Sequence, residues 1–230
     1  MKRAWNLYLA ASALAIAMAT PALAIDLIGY YEFENNDLDS SGNGNDGTQV
    51  GSAGFGAAFR GTTSRDLTGG QINLPINANP MVNNQISFGG WVNADLTGQR
   101  GFMSTDNGGW DRGIEQGNTG NLWGIASGGQ TSSTASVTQG DWQYVVGTFN
   151  KAANLATLYV GDDVVGTQTT TTVSRADGAS LGGSEVVIEL GRYDGRVFDG
   201  LADDIFVFSE ELTADEANAV RNLRLNPTLD

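Results

Sequence analysis

Two adjacent acidic residues in a late apolar stretch are the first candidates for chemistry. In the segment Phe198–Phe208, a turn is followed by Asp203, Asp204 and an alternating apolar strand. Because strand side chains alternate between the two faces, Asp203 is expected to share a face with Ile205 and Val207. A carboxylate among core residues is costly to bury unless it is paired or binds a metal ion. Asp203 is therefore either a metal ligand or a hydrated polar cap at a strand end.

An oxygen-rich loop near the N-terminus is the second candidate. Residues 39–44 place side-chain oxygens at the spacing of the first half of an EF-hand loop, but position 12 is Val50 instead of Glu. The overlapping match of residues 42–47 to the glycine-rich dinucleotide motif lacks the helix that this motif requires. Two interpretations stay open, a cation site or an ordinary turn rich in Asn and Asp. The cation ligands would be Asp39, Asn43 and Asp46.

Aromatic residues in polar loops are candidates for binding a sugar ring. Trp91 and Trp142 lie in apolar strand patterns and are expected in the core, whereas residues 106–112 and 191–196 form glycine-rich polar loops. An aromatic side chain beside polar groups can stack on a sugar and hydrogen bond its hydroxyls. The alternative is a lid over the edge of the fold, since single surface aromatics are common. The predicted ligand-binding residues are Trp110, Asp111, Arg112 and Tyr193.

Composition excludes several classes of function. The 230 residues include 12 Lys and Arg against 26 Asp and Glu, which gives a formal net charge of −14. Binding of nucleic acid requires basic surfaces, so this acidic composition predicts that the protein does not bind nucleic acid. The chain has no cysteine and no histidine, so disulfides, a Ser-His-Asp triad and most catalytic zinc sites are ruled out. The acidic composition suits calcium, which prefers oxygen ligands.

The N-terminus has the features of a secretory signal peptide over residues 1–24. Lys2 and Arg3 precede the apolar run Leu7–Met18, which is too short to span a bilayer, and a small-x-small cleavage site ends at Ala24. We therefore expect a secreted, periplasmic or cell-surface protein with no membrane insertion after cleavage. Residues 25–230 are predicted to form a single domain.

Scattered glycines and short alternating apolar segments predict an all-β fold. The 32 glycines show no repeat, and turn signals separate most of the apolar segments. Alternation favours antiparallel sheets with one hydrated face. The predicted strands are Leu27–Phe33, Ala57–Phe59, Gln71–Leu74, Ile86–Val92, Gly101–Ser104, Leu122–Ala126, Trp142–Phe149, Ala156–Val160, Val164–Gln168, Val186–Leu190 and Leu201–Phe208.

One short helix is predicted near the C-terminus. Thr213 and Glu216 have the spacing of a capping box, in which each side chain accepts the other's backbone N–H. Ala217, Val220 and Leu223 follow at helical spacing and are expected to form its apolar stripe. This helix is expected to lie on a β-sandwich.

Several motifs in their order along the chain resemble laminin-G-like domains of the concanavalin A type. The resemblance extends from about residue 27 to residue 223, and it rests on the order and spacing of the motifs together. The motifs are Gly29–Glu34, Asp39–Thr48, Ile86–Val92, Gly140–Phe149, Ala156–Gly161, Leu190–Arg192, Phe198–Asp204 and Glu211–Glu216.

The resemblance implies a two-sheet antiparallel jelly-roll sandwich with one short C-terminal helix. It also implies a structural calcium ion that ties the loop Asp39–Gly47 to Asp203. Related β-glucanases carry a Glu-x-Asp-x-Glu strand. Here Glu185 and Glu189 have the right parity, but Val187 replaces the middle acid and the strand lies late in the chain.

The prediction is an exported, non-catalytic recognition or adhesion module that binds carbohydrate. Its partner would be a glycan or a component of a cell surface or matrix. Two alternatives remain at this point, a glycoside hydrolase of the glucanase type and a structural protein of a matrix or envelope.

Overall fold

The computed structural model describes residues 26–105, 111–117, 121–165, 167–179, 187–193 and 196–225. Two antiparallel sheets pack face to face, and a helix lies near the C-terminus. The predicted all-β jelly-roll sandwich with one short C-terminal helix is confirmed. In chain order the strands are β1 (Leu27–Tyr31), β2 (Thr48–Gly51), β3 (Gly54–Ala57), β4 (Thr63–Asp66), β5 (Gly70–Leu74), β6 (Gln85–Ala94), β7 (Arg100–Ser104), β8 (Gly113–Gln116), β9 (Leu122–Ala126), β10 (Gln130–Ser136), β11 (Trp142–Asn150), β12 (Leu155–Asp162), β13 (Thr170–Arg175), β14 (Ile188–Leu190), β15 (Arg192–Tyr193), β16 (Arg196–Val197) and β17 (Gly200–Phe208).

The strands form two large sheets and one small hairpin. An eight-stranded sheet has the order β13-β12-β11-β6-β17-β4-β3, with β1 paired to β17. A seven-stranded sheet has the order β10-β9-β8-β7-β14-β5-β2. Strands β15 and β16 form a two-stranded hairpin of their own. Each large sheet thus pairs strands that are distant in sequence, such as β6 with β17 and β7 with β14.

The main core lies between the two sheets. Alternate residues of β6 and β11 enter it, including Phe88 and Phe149, whose rings stack at 5.1 Å. The seven-stranded sheet contributes Ile114, Ile125 and Trp123 among others. Alternation therefore leaves the intervening residues of these strands on the outer faces of the sandwich.

A second apolar cluster covers the outer face of the eight-stranded sheet. Trp91 is fully buried there and stacks on Phe59 at 3.9 Å, while Trp142 is partly buried against the same cluster. The helix α1 (Ala214–Leu225) contributes Val220 to this cluster. Both tryptophans are thus part of the hydrophobic packing, as the apolar patterns predict.

The predicted capping box of α1 is present. Glu216 Oε2 accepts the backbone N–H of Thr213 at 2.8 Å, and Thr213 Oγ1 accepts the N–H of Glu216 at 3.3 Å. The predicted stripe holds for Ala217 and Val220, but Leu223 is 47% exposed because the last turn extends past the sheet's apolar cluster. The expected contribution of Leu223 to the apolar stripe is therefore wrong.

Arg221 of α1 donates hydrogen bonds to backbone carbonyls of the segment after β12. It is fully buried, and its Nε donates to the carbonyl of Asp162 at 2.9 Å while its Nη1 donates to the carbonyl of Thr167 at 2.9 Å. The guanidinium thereby holds the chain between β12 and β13. This segment contains Val164, and the predicted strand Val164–Gln168 is absent from its described residues because their backbone turns here instead.

A bulge in β17 changes the face on which Asp203 lies. Asp203 pairs with Trp91 on the outer face, whereas Ile205 and Val207 face the core between the sheets. The register shifts after Asp203, and Asp204 has a φ of 47°. An extra residue in one strand breaks the alternation. The prediction that Asp203 shares a face with Ile205 and Val207 is therefore wrong.

Candidate functional site

The loop end of the sandwich is built around a buried ion pair. Arg112 Nη2 lies 2.8 Å from Asp177 Oδ2, and neither side chain has exposed surface. Arg112 also donates to the carbonyls of Asn83 at 2.6 Å and Asn84 at 2.9 Å. Ser127 donates its hydroxyl to the second carboxylate oxygen of Asp177. These bonds join the segments before β6 and β8 to those after β9 and β13.

Burial changes the interpretation of the predicted residues around Trp110. Arg112 is enclosed and its guanidinium is committed to internal acceptors, so it positions loops and has no surface for a sugar. This corrects the expectation that Arg112 contacts a ligand. Asp111 is 5% exposed. Trp110 itself lies outside the described residues.

The two predicted sugar-binding loops meet at the end of β7. Ser104 Oγ donates to the carbonyl of Arg192 at 2.8 Å, and the next residue, Thr105, donates its N–H to the carbonyl of Arg112 at 2.9 Å. The backbone of Tyr193 pairs with Arg196 in the β15–β16 hairpin. The side chain of Tyr193 is outside the described part of the chain. The fold therefore makes neighbours of segments some 80 residues apart in sequence.

The outer face of the seven-stranded sheet carries a row of mostly polar residues beside these loops. In strand order from β2 to β10 the directly opposed residues are Thr48, Asn73, Glu189, Ser104, Gly113, Ala126 and Gln130. Gln71 Nε2 donates to Glu189 Oε1 at 2.9 Å, and Arg192 Nη1 donates to Gln71 Oε1 at 3.3 Å. This network ties the hairpin to the sheet. Glu185, the other predicted member of a hydrolase pair, is outside the described residues.

Glu115 lies on the same outer face and was not anticipated. On β8 it stands directly opposite Gly101 of β7 and Gly124 of β9, so no side chain flanks it on the neighbouring strands. Its side chain is fully buried, and Arg196, Gln130 and Arg175 act on its carboxyl group.

Burial dominates the electrostatics of Glu115. Loss of solvent raises the pKa of Glu115 to about 8, against the opposing effects of Arg196, Gln130 and Arg175. A group with a pKa far from its ordinary value on a sheet face is a candidate for function. Sequence reasoning missed it because β8 is only four residues long, too short to show alternation. The pairing register of β7, β8 and β9 places glycines opposite Glu115, and this register cannot be read from the sequence.

The predicted calcium ligands of the N-terminal loop hold the loop's own backbone. Asp39 accepts the N–H of Tyr30 at 3.0 Å, that of Ser41 at 2.9 Å and that of Asn45 at 3.0 Å. Burial alone would raise the pKa of Asp39, but these hydrogen bonds outweigh it and lower the pKa. Such contacts are those of an ordinary Asx-type turn.

The other two loop residues make similar contacts. Asp46 Oδ1 accepts the N–H of Asp39 at 2.9 Å, and Asn43 Nδ2 donates to the carbonyl of Leu27 at 2.9 Å. Asn43 thus links the loop to the first strand. Both side chains contribute to the internal hydrogen bonding of the loop.

Asp203 accepts backbone N–H groups from a different segment. Its Oδ2 accepts from Phe59 at 2.8 Å and from Arg60 at 3.2 Å, and its Oδ1 accepts from Asp204 at 2.9 Å. Burial and the neighbouring charge of Asp204 raise the pKa of Asp203 to about 7. Asp203 therefore caps the loop that follows β3.

The predicted calcium set does not fit a single ion in this arrangement. N–H groups point at the carboxylates of both Asp39 and Asp203, whereas calcium takes six to eight oxygen ligands. Within the described ranges no group of three or more acidic side chains is placed to hold a metal ion. Calcium binding stays a prediction from the resemblance.

Comparison with known families identifies the chain's class. The profile described as the concanavalin A-like lectin/glucanases superfamily, Laminin_G_3, matches residues 66–218. The chain belongs to this family. No curated protein matches the sequence. Among the described residues no helix is long and apolar enough to cross a membrane.

Solved structures of the same fold include domains with known ligands. Domain 4 of AbnA, a GH43 extracellular arabinanase from Geobacillus stearothermophilus solved with arabinotriose, has a TM-score of 0.66 at 19% identity, over 86% of this chain and 98% of that one. The binding domain of botulinum neurotoxin DC with SialylT has a TM-score of 0.62 at 14% identity, over 88% of this chain and 52% of that one. The chain therefore spans about half of the toxin domain. At these identities the likeness shows the fold.

Proposed function

We propose that this protein is an exported, non-catalytic module that recognises carbohydrate on a cell surface or in a matrix. The supporting observation is the junction at the end of β7. There Ser104 is hydrogen bonded to the β15–β16 hairpin, and Thr105 is hydrogen bonded to the loop before β8. This junction borders a polar sheet face, and binding loops carried by a rigid scaffold are a common arrangement for ligand sites.

The neighbours support a glycan as the ligand. The arabinanase domain was solved with arabinotriose and a toxin binding domain with SialylT, both on the same fold. The sequence adds a signal-peptide pattern and an aromatic residue in each of the two loops, Trp110 and Tyr193. Calcium binding is a separate prediction, and carbohydrate recognition on this face does not depend on it.

A glycan array with the mature wild-type protein tests the proposal. We expect binding to a defined set of glycans, which Trp110→Ala reduces at least tenfold. Phe55→Ala is a matched control, because Phe55 is 41% exposed on the edge strand β3 of the other sheet. Absence of binding by the wild type to every glycan would favour the structural-protein alternative.

The hydrolase alternative requires two carboxyl groups on one face of a sheet. Glu115 and Glu189 share the outer face, but β7 lies between their strands and they are offset by two residues. Strand spacing and rise then place their Cα atoms roughly 12 Å apart. Release of reducing sugar from β-glucans that Glu189→Gln abolishes would overturn the non-catalytic proposal.

A further inference from the structure

Asn43 is followed by a glycine in an open part of the N-terminal loop. Both residues are exposed, and Gly44 has a φ of 76°. Apart from its two chain neighbours, no described residue has an atom within 4 Å of the position that a Cβ of Gly44 would take. Within residues 26–105 the backbone N–H of Gly44 donates no hydrogen bond. The Gly44 nitrogen is therefore accessible to the side chain that precedes it.

Two neighbouring pairs of the same loop lack this combination. The Nδ2 of Asn45 also donates to a carbonyl of β1, at 2.7 Å, but the next residue is Asp46, whose side chain hinders an approach to its own nitrogen. The pair formed by Asp46 and Gly47 has a glycine, but the N–H of Gly47 is held by a hydrogen bond of 2.7 Å to a backbone carbonyl. Neither obstacle is present between Asn43 and Gly44.

We propose that Asn43 is a site of spontaneous deamidation, with water as the co-reactant. The Gly44 nitrogen loses its proton to base in the solvent and attacks Cγ of Asn43. The new C–N bond closes a succinimide ring, the Cγ–Nδ2 bond breaks, and ammonia leaves. Water then opens the ring at either carbonyl carbon, which leaves aspartate or isoaspartate at this position, with no oxidation or reduction. Asparagine is a thermolabile residue, and glycine has no Cβ to hinder the attack.

The product loses the bond that connects the loop to the first strand. Asn43 Nδ2 donates to the carbonyl of Leu27 and to Ser41 Oγ, each at 2.9 Å. An ionised carboxylate only accepts hydrogen bonds, so it cannot donate to Leu27, and its charge adds to those of Asp39 and Asp46. Isoaspartate also lengthens the backbone by one methylene. The loop is therefore released from β1 as the protein ages, and this change is independent of the carbohydrate recognition proposed above.

Peptide mapping by mass spectrometry after incubation at pH 8 and 37 °C tests the proposal. The mature full chain is kept in calcium-free buffer, and samples taken over several weeks are digested and fragmented. We expect the mass increase of an amide converted to an acid at Asn43, at a rate at least tenfold above that at Asn45. The rate should rise with pH, because the attacking nitrogen must first lose its proton. An isoaspartyl methyltransferase detects the isoaspartate.

Two variants connect the modification with the release of the loop. Asn43→Gln keeps an amide, but its ring would have one more atom and closes much more slowly, so it should gain no mass at this position. Asn43→Asp imitates one product and should melt below the wild type. The aged wild type should shift towards the melting temperature of Asn43→Asp, whereas aged Asn43→Gln should stay close to its starting value. The other Asn-Gly pair of the chain, at residues 107–108, lies in a different peptide and is mapped separately.

Three results would overturn the proposal. The first is an unchanged mass at Asn43 at the end of the incubation. The second is an equal rate at Asn43 and Asn45, which would mean that the open glycine does not direct the reaction. The third is an Asn43→Asp variant that melts at the temperature of the wild type, since the reaction would then not release the loop from β1.

Discussion

The hydroxyl of Tyr30 donates a hydrogen bond of 2.7 Å to Asp204 Oδ1, which joins the first strand of the domain to the last. The same tyrosine stacks on Phe206 with ring centroids 4.8 Å apart, and its backbone N–H donates to Asp39. One residue thus links the N-terminal loop, the first strand and the acidic bulge. The resemblance implies a calcium ion between the N-terminal loop and Asp203. In the structure, Tyr30 connects that loop to the neighbouring Asp204 by direct hydrogen bonds.

Tyr30→Phe should destabilise the fold. The substitution keeps the ring that stacks on Phe206 but removes a donor to the buried carboxyl of Asp204. Loss of such a partner costs about 1–3 kcal/mol. Urea denaturation of the two proteins measures the free energy of unfolding.

Tyr144→Phe is the matched control for this prediction. The hydroxyl of Tyr144 is buried without a hydrogen-bond partner, so its removal should be neutral or stabilising. Equal destabilisation by both substitutions would mean that the loss in Tyr30→Phe is not due to its bond with Asp204.

Arg112→Met should be among the most damaging single substitutions. It leaves Asp177 buried without its cation and frees the carbonyls that hold the loop before β6. Breaking a buried pair from one side costs about 3–5 kcal/mol. Differential scanning calorimetry should show a large drop in melting temperature.

The control is Arg100→Met at a partly exposed pair. Arg100 lies 3.9 Å from Asp199, and exposed pairs contribute only about 0–1 kcal/mol. If Arg112→Met lowered the melting temperature no more than Arg100→Met does, the structural role of Arg112 would be contradicted.

Stability should fall as the pH rises above about 4.5. Burial raises the pKa of Glu115 to about 8 and that of Asp203 to about 7, from ordinary values of 4.5 and 3.8. Between the two pKa values of each group, the folded state holds a proton that the unfolded state has lost. Each group therefore lowers the free energy of unfolding by about 1.4 kcal/mol per pH unit across its interval.

Urea denaturation at pH 5, 6.5 and 8 measures this slope. Glu115→Gln should flatten it and should be more stable than the wild type at pH 8, because no buried carboxyl remains to be charged. Asp39 and Asp162 have lowered pKa values, so their effect is confined to acid below about pH 4. An unchanged slope in Glu115→Gln would contradict the raised pKa of Glu115.

Calcium binding is tested by melting the protein with calcium and with a chelator. A site filled at about 100 times its dissociation constant adds about 2.7 kcal/mol, which raises the melting temperature by several degrees. If the predicted site exists, Asp203→Ala should abolish the difference. Identical melting temperatures in both conditions would leave Asp203 as a cap of the Phe59 and Arg60 amides.

Local patterns carried enough information for the fold class and the helix. The capping box of Thr213 and Glu216 formed as predicted because its atoms lie within one helical turn. The short strand β8 was missed, since a strand of four residues is too short to show a period. Leu223 has the spacing of an apolar stripe but extends beyond the sheet that would cover it.

The sequence by itself determined an antiparallel β-sandwich of the concanavalin A type, its C-terminal helix and the prediction of export, since these depend on local alternation, capping and composition. Only the tertiary structure decided the positions of its charges. A one-residue bulge moved Asp203 to the outer face, and loop packing enclosed Arg112. Strand register placed Glu115 between two glycines. Register, bulges and burial arise from contacts between distant segments, which no local pattern encodes.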